Sequence, residues 1–473
     1  MERFLNMMKK RKGYDVYPLT AAQKFHFFYL DHCPNKAVVN IGTSLTIEAE
    51  LDFDVLRESI LKAYERSESM RLQFAKDKEG VWYQYVVDEV KQEIPLEDFS
   101  RTTMEEAEAT MRKWTQVPFK REDSPMSRMV MIKTPDGFSG VYLLADHVIM
   151  DAQSLICFLK DIIEIYCSRM YENVAYPKDM ASYIEQLKKD LAYEAGSKAK
   201  ARDEEFFHKM IESSEPIYNG IDGTAKLELE RDRRNMPGLR AAVNVSDSVE
   251  SDLDIFHLEG EPTKRLMDFC KEKQISLTCL LLMGLRTYFQ KMNGNDDVSI
   301  NTAIARRATL KEKKCGGTRI HSFPFRTVIS QEKKFIDALF EIRDQQNELF
   351  RHANYDPVAY FAHRGQVYQN PQGCTYEPMA LTYQPMTLKE KGLDQLGDIR
   401  YKTKWYPNGA TTQAMYLTVM HRPEDNGLDF NFEHQVKAVS RKQLEYMYYY
   451  LCKIMFKGIE NPNLSVGDIL KLV

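Results

Sequence analysis

Leu143-Leu144-Ala145-Asp146-His147-Val148-Ile149-Met150-Asp151-Ala152-Gln153-Ser154 passes from a wholly apolar run, through a histidine between two carboxylates, into helix-like spacing. Val141 to Ala145 is apolar at every position, which predicts a strand with both faces buried. It is joined to a second predicted strand, Met129 to Ile132, across Pro135-Asp136-Gly137, a strong turn signal. Beyond the loop, Leu155, Leu159, Ile162, Ile163 and Tyr166 recur at helical intervals. A loop between a buried strand and a helix is where α/β folds present reactive side chains from a rigid base. His147, beside Asp146 and Asp151, suits proton transfer near neutrality, because a carboxylate can hold the ring in one orientation. The same residues also admit a plain structural reading. Asp151 with Ser154 can cap the following helix, and His147 can be a satisfied core histidine. With ten histidines in the chain, spacing alone leaves both readings open.

Working outward, strand and helix signals alternate. Ile41, Thr43, Leu45 and Ile47 follow a period of two, and Val55, Leu56, Ile60, Ala63 and Tyr64 trace a helix face behind a cap at Asp52 or Asp54. Between about Met170 and Asp252, charged helical stretches and the breaks at Gly196-Ser197, Asn219-Gly220 and Gly223 suggest a connection laid over the surface. The alternation then resumes. Asp252 to Leu258 and Val298 to Ala305 read as strands, and Thr263 to Met292 as two helices. Lys333 to Arg351 reads as a helix. Met415 to Met420 and Leu428 to Phe432 flank Asn426-Gly427 as a hairpin, and an aromatic-rich helix spans Tyr446 to Phe456. The expected organisation is an α/β protein with an N-terminal lobe over 1–175, a connecting segment over 176–250 and a C-terminal lobe over 251–473.

Composition narrows the class. The 473 residues carry 65 Lys and Arg against 69 Asp and Glu, a net charge of −4. That gives no bulk electrostatic case for nucleic acid or an anionic membrane. The longest apolar run, Leu277 to Leu285, is far short of the roughly 20 residues of a membrane span and reads as a buried helix. At the N-terminus Phe4, Leu5, Met7 and Met8 precede Lys9-Lys10-Arg11-Lys12, the reverse of a secretory signal. The eight cysteines form no C-x-x-C pair, so neither a zinc ribbon nor a disulfide framework is implied. A soluble, cytoplasmic protein is expected.

From about Tyr17 to the C-terminus the chain resembles the condensation domains of nonribosomal peptide synthetases, within the chloramphenicol-acetyltransferase-like, CoA-dependent acyltransferase superfamily. Six stretches carry the resemblance, in the family's order. Tyr17 to Gln23 resembles "ypLS-x-x-Q", Arg66 to Phe74 "RHexLRtxF", and Pro118-Phe119 with Ser124 to Arg128 the "PFdl…pLxR" lead-in. Asp146 to Ala152 falls on the signature "HHxxxDG", Ile300 to Arg307 on "IGTPfAGR", and Gly317 to Arg326 on "GffvNtlPlR". The resemblance implies two chloramphenicol-acetyltransferase-like lobes arranged in a V around a central cleft.

By the same resemblance His147 takes the place of the family's catalytic histidine, as general base or positioning residue. Asp151 takes that of its structural aspartate, and Arg307 that of an arginine expected to pair with this aspartate across the lobes through a bidentate fork. Two departures stand out: Asp146 replaces the family's first histidine, as a supporting residue, and Ala152 replaces its glycine. The adjacent Asp146 is expected to raise the His147 pKa, and Ala152 to displace the loop if a positive φ is needed there. The family's asparagine in the later motif is His321. The implied activity is that of a free-standing condensation-type acyltransferase of natural product biosynthesis. An acyl or aminoacyl group would pass from a phosphopantetheine thioester, on an acyl or peptidyl carrier protein or as acyl-CoA, to a small amine or alcohol. The thioester arm is substrate; no tightly bound cofactor, metal, nucleic acid or membrane partner is implied. The alternative is a catalytically silent relative that binds a carrier protein or small ligand. Cys315-Gly316-Gly317-Thr318 faintly resembles a carrier attachment site but lacks its serine, and Arg231, Arg233 and Arg234 read as a solvated face that could instead meet a carrier or a phosphate.

Overall fold

The computed structural model describes residues 10–89, 91–385, 400–422 and 425–473. The apolar N-terminal residues Phe4, Leu5, Met7 and Met8, and Lys9 after them, lie outside the described residues. The chain divides into two compact units. The first comprises residues 1–201, 305–320 and 386–409; the second comprises 202–304, 321–385 and 410–473.

The first unit is built on a five-stranded sheet in the order Tyr401–Tyr406, Asn40–Ile47, Ser139–Asp146, Ser127–Lys133 and Leu96–Asp98. Neighbours are antiparallel except the last pair, which is parallel. Ser139–Asp146 is central and buried at every position, as its unbroken apolar run predicts. The helices Phe53–Arg66, capped by Asp52, and Ala152–Met170, capped by Asp151, contribute Ile60, Ala63, Leu155, Phe158 and Ile162 to the core beneath this sheet. A smaller antiparallel sheet joins Lys10–Arg11, Tyr14–Pro18, Trp82–Val86 and Leu72–Lys76. Helix Ala21–His32 begins at a capping box in which the Thr20 hydroxyl accepts from the Gln23 N–H and the Gln23 side chain accepts from the Thr20 N–H.

The second unit has a six-stranded mixed sheet in the order His321–Val328, Asp297–Ile304, Ala380–Gln384, Met415–His421, Leu428–Gln435 and Ser251–Leu258. Met415–His421 and Leu428–Gln435 pair antiparallel, the hairpin expected around Asn426-Gly427. Helix Leu277–Asn293 is buried almost all round and ends on Gly294 at φ 63, a left-handed cap that glycine adopts without steric cost. Helices Phe335–Arg351 and Arg441–Glu460 complete its core. In the latter, Tyr448 stacks on Phe256, while Tyr446 and Tyr449 are exposed.

Two features depart from the sequence reading. The stretch after Met170 is more than surface chain: Tyr183 and Leu187 enter the core of the first unit, and Phe207 and Ile211 that of the second. Helical spacing marks these segments as helices, but their high charge hides one apolar stripe on each. Secondly, residues 305–320 leave the strand Asp297–Ile304 and pack in the first unit, although they belong to the second half of the sequence. Among the described residues no helix is long and apolar enough to cross a membrane.

Candidate active site

The central strand of the first unit delivers the loop. Asp146, its last residue, pairs with Asn40 on the neighbouring strand, and the Asp146 N–H donates to the Met126 carbonyl at 2.9 Å. The His147 N–H donates to the Val39 carbonyl at 2.8 Å, and the Ile149 N–H to the Asp146 carbonyl at 3.1 Å. A tight turn thus lifts His147 off the sheet end and drops Asp151 at the start of the next helix.

Asp151 does both things that its sequence position allowed. As helix cap it accepts the Ser154 N–H at 2.9 Å, while the Ser154 hydroxyl accepts the Asp151 N–H at 2.8 Å. Its carboxylate also pairs with Arg307: Nη2 lies 2.9 Å from both Oδ1 and Oδ2. The Arg319 N–H adds a bond to Oδ2 at 2.9 Å. Both side chains are almost wholly buried, Arg307 at 2% exposure and Asp151 at 3%. Burial works to raise the Asp151 pKa, but the Arg307 charge and these hydrogen bonds outweigh it and hold the carboxyl below its usual range.

The pairing differs from expectation in two respects. It lies within the first unit, because Arg307 belongs to the segment 305–320. The guanidinium also does not present a two-nitrogen fork: Nη2 serves both carboxylate oxygens, and Nη1 donates to the carbonyls of Glu312 and Cys315 at 2.7 and 2.6 Å. Arg307 thereby ties its own segment together as well as neutralising Asp151. The preceding residue, Arg306, takes φ 47, the left-handed region, where the family motif has glycine.

Asp146 is fully buried and its Oδ2 lies 2.7 Å from Arg121 Nη2. Its Oδ1 accepts the Val148 N–H at 3.0 Å. Burial raises its pKa, opposed by Arg121 and by the Val148 N–H. With its carboxylate turned to these partners, Asp146 does not raise the pKa of His147. The His147 pKa is instead lowered, because desolvation outweighs the opposing effects of the local backbone and the Asp151 charge. The expected upward shift is therefore overturned. Nor does Ala152 strain the loop: it is the first residue of the helix and is not among the residues with positive φ.

His147 is half-buried, and its Nδ1 is buried without a well-formed hydrogen bond. Its ring stacks on that of His26, with centroids 4.1 Å apart and planes at 25°. The His26 Nε2 lies 3.2 Å from the Thr318 hydroxyl. His26 is buried and its pKa is held well below the ordinary imidazole value, by desolvation and then by the neighbouring His147. Sequence reasoning passed over His26, since a histidine in an apolar helix far along the chain gives no sign of meeting His147. The weak signal available was its place three residues after Gln23, in a motif already recognised. Gln23 also supports the loop. Its Nε2 donates to Gln84 Oε1 at 2.8 Å and approaches the Val148 carbonyl at 3.4 Å, and Tyr183 completes the buried cluster.

The remaining sequence candidates have structural explanations. Gly317 takes φ 90, pairs with Met150 in an isolated bridge, and gives its carbonyl to Arg307 at 2.8 Å. Arg231 pairs with Glu228, and Arg233 and Arg234 share Glu230, so each arginine of the basic cluster has a carboxylate partner on its own helix. His321 is a buried residue of the second unit whose Nδ1 lies 2.9 Å from the Ala353 carbonyl. A cavity of about 470 Å³ in the second unit is lined by Tyr218, Arg231, Arg240 and Asn293 and by none of the residues assigned to the His147 site.

A family model described as "Condensation domain" matches residues 14–472, nearly the whole chain. The protein belongs to the condensation domain family. Among curated relatives, surfactin synthase subunit 1 of Bacillus subtilis (strain 168) is 22% identical over 460 residues, 96% of this chain and 12% of its own length. Bacitracin synthase 3 of Bacillus licheniformis is 21% identical over 455 residues, covering 96% of this chain and 7% of its own length. The condensation-family chain thus spans less than a fifth of these relatives. Among solved structures, the first condensation domain of the calcium-dependent antibiotic synthetase, in complex with a substrate analogue, matches at a TM-score of 0.78 with 17% identity. That match covers 96% of this chain and 98% of that one. A variant of the starter condensation domain of rhizomide synthetase, in complex with C8-CoA, matches at 0.79 with 17% identity over 96% of both chains. These likenesses establish the fold.

Proposed function

We propose that this condensation-family chain is an acyltransferase in which His147 serves as general base or positions the nucleophile. The donor is an acyl or aminoacyl thioester on a phosphopantetheine arm, borne by a carrier protein or by CoA, and the acceptor is a small amine or alcohol. The observation that carries the reading is the state of His147: a half-buried imidazole, biased to its neutral form, on a loop held by buried ion pairs at Asp146 and Asp151. A neutral imidazole accepts a proton, and a fixed loop keeps it within reach of one. As the acceptor nitrogen or oxygen attacks the thioester carbonyl, its proton passes to His147. Collapse of the tetrahedral intermediate breaks the C–S bond, and the departing thiolate takes the proton back. The products are an amide or ester and a free thiol. Asp151, Arg307 and Asp146 act on the loop rather than on substrate. Support comes from the family itself, whose members transfer acyl and peptidyl groups, and from the neighbour crystallised with C8-CoA.

The rival reading, a silent relative that binds a carrier or small ligand, draws on the replacement of the family's first histidine by Asp146. Its burial against Arg121 supports a structural role for that residue. The experiment is acyl transfer from a panel of pantetheine and CoA thioesters to mixed amines and alcohols, comparing the parent with His147→Ala. A general base contributes about 10²–10⁴-fold, so product should fall by that factor while the circular dichroism spectrum is unchanged. Equal rates in both proteins would remove His147 from the chemistry. Thioester or carrier binding without product from either would favour the silent relative.

A further inference from the structure

The geometry points to a divalent transition-metal site in the second unit, formed by His208, Glu212 and His363. Helix Lys198–Ser213 sets His208 and Glu212 four residues apart, on one face. Helix Pro357–Tyr368 brings His363 against them. The two imidazoles lie nearly parallel, with centroids 3.8 Å apart and planes at 18°. The three residues can each turn one ligand atom to a common point, those atoms lying within 4.8 Å of one another. His363 Nε2 is 3.4 Å from Glu212 Oε1, yet it is buried without a well-formed hydrogen bond. For metal–ligand bonds of about 2.0–2.1 Å, adjacent ligands of a tetrahedral ion lie about 3.3–3.4 Å apart. The His363–Glu212 separation already has this length, and a modest opening of the stacked rings brings His208 to the same ion.

The ligand chemistry selects the class of ion. Two imidazoles and one carboxylate suit Zn²⁺, Co²⁺ or Ni²⁺, whereas Mg²⁺ and Ca²⁺ require mostly oxygen ligands. The side chains of His208, Glu212 and His363 are 33, 58 and 22% exposed, so an ion enters from solution and water completes its coordination. The Tyr355 hydroxyl lies 3.5 Å from His208 Nε2, and Glu204, one turn before His208, has an oxygen 4.0 Å from the same atom. A bound ion would clamp the two helices together. Such a site is invisible to spacing rules because its third ligand comes from a remote helix.

The test is Co²⁺ titration of the full chain after chelator treatment, followed by its visible spectrum, with Zn²⁺ competition and Mg²⁺ as control. One equivalent of Co²⁺ should give visible bands without thiolate charge transfer, and Zn²⁺, but not Mg²⁺, should abolish them and raise the melting temperature. His363→Ala and Glu212→Gln should each weaken binding by at least about tenfold. Melting temperatures in chelator equal to that of the parent would show that the variants fold; His208→Asn substitutes for either that does not. Identical titrations of parent and folded variants, a thiolate band, or no cobalt spectrum up to millimolar Co²⁺ would overturn the site.

Discussion

Asp151→Ala is the most informative single change, because it removes three interactions made by one buried carboxylate. Arg307, at 2% exposure, loses its counter-charge, Ser154 loses its cap, and the Arg319 N–H loses its acceptor. Breaking a buried ion pair from one side costs about 3–5 kcal/mol. Arg307 keeps the carbonyls of Glu312, Cys315 and Gly317, which places this loss near the lower end. Adding about 1 kcal/mol for the cap gives a destabilisation of about 4 kcal/mol. With a urea dependence of about 3 kcal/mol per molar, the midpoint for the first unit should fall by a little more than 1 M. Adding Arg307→Met to Asp151→Ala should recover about 2 kcal/mol, since the stranded charge is then gone. The pH dependence has a defined sign. The folded-state pKa of Asp151 is depressed, so its contribution is fully present above the ordinary carboxylate value near 4 and disappears as pH falls through the lower folded value. A midpoint shift under about 0.3 M, or single-variant effects that add within about 0.5 kcal/mol, would refute a coupled buried pair.

Other outcomes follow from the same geometry. With an alcohol acceptor, which does not titrate in this range, transfer activity should be level above about pH 6.5 and fall only at more acid pH, because the His147 pKa is lowered and its neutral form is the base; a decline beginning above pH 7 would contradict this. His147→Phe keeps a stacked ring but removes the imidazole whose charge helps to hold the His26 pKa down, so the His26 NMR titration should move upward, and an unchanged titration would mean that the stack has no electrostatic effect on His26. Gly317→Ala forces a side chain onto φ 90 and a Cβ to within 2.3 Å of the Tyr183 ring, and should cost more than about 2 kcal/mol in denaturant unfolding; a parent-like midpoint would show that the bridge to Met150 relaxes freely. Glu433, whose carboxyl is pushed up to about 7 by burial, should penalise folding as pH rises from its unfolded value near 4.5 through 7. Glu433→Gln should therefore gain roughly 3 kcal/mol over the parent at pH 8 and under about 1 kcal/mol at pH 5, and a gain independent of pH would contradict the assignment.

Local patterns carried far because each rests on neighbours in sequence. The unbroken apolar run of Val141 to Ala145 predicts a strand buried on both faces, and Asp151 followed by Ser154 could cap a helix whatever surrounded it. The hairpin at Asn426-Gly427 and the buried helix at Leu277 follow from turn chemistry and apolar content in the same way. Family motifs added Arg307 as the partner of Asp151, which no periodicity rule would supply. The charged helices after Met170 were harder, since a narrow apolar stripe such as Phe207 and Ile211 is swamped by the charge around it.

The sequence by itself determined the α/β alternation, the loop bearing His147 and the capacity of Asp151 to cap the following helix, because hydrophobic period and capping act within a few residues. Tertiary structure alone decided what surrounds that loop. His26 arrives from helix Ala21–His32, Arg121 from the loop before strand Ser127–Lys133, and Arg307, already indicated by the family motifs, from a segment that crosses into the first unit. These encounters fix the charge state of His147: desolvation depends on every atom packed around the ring, and the adjacent Asp146 has little say once its carboxylate is turned to Arg121.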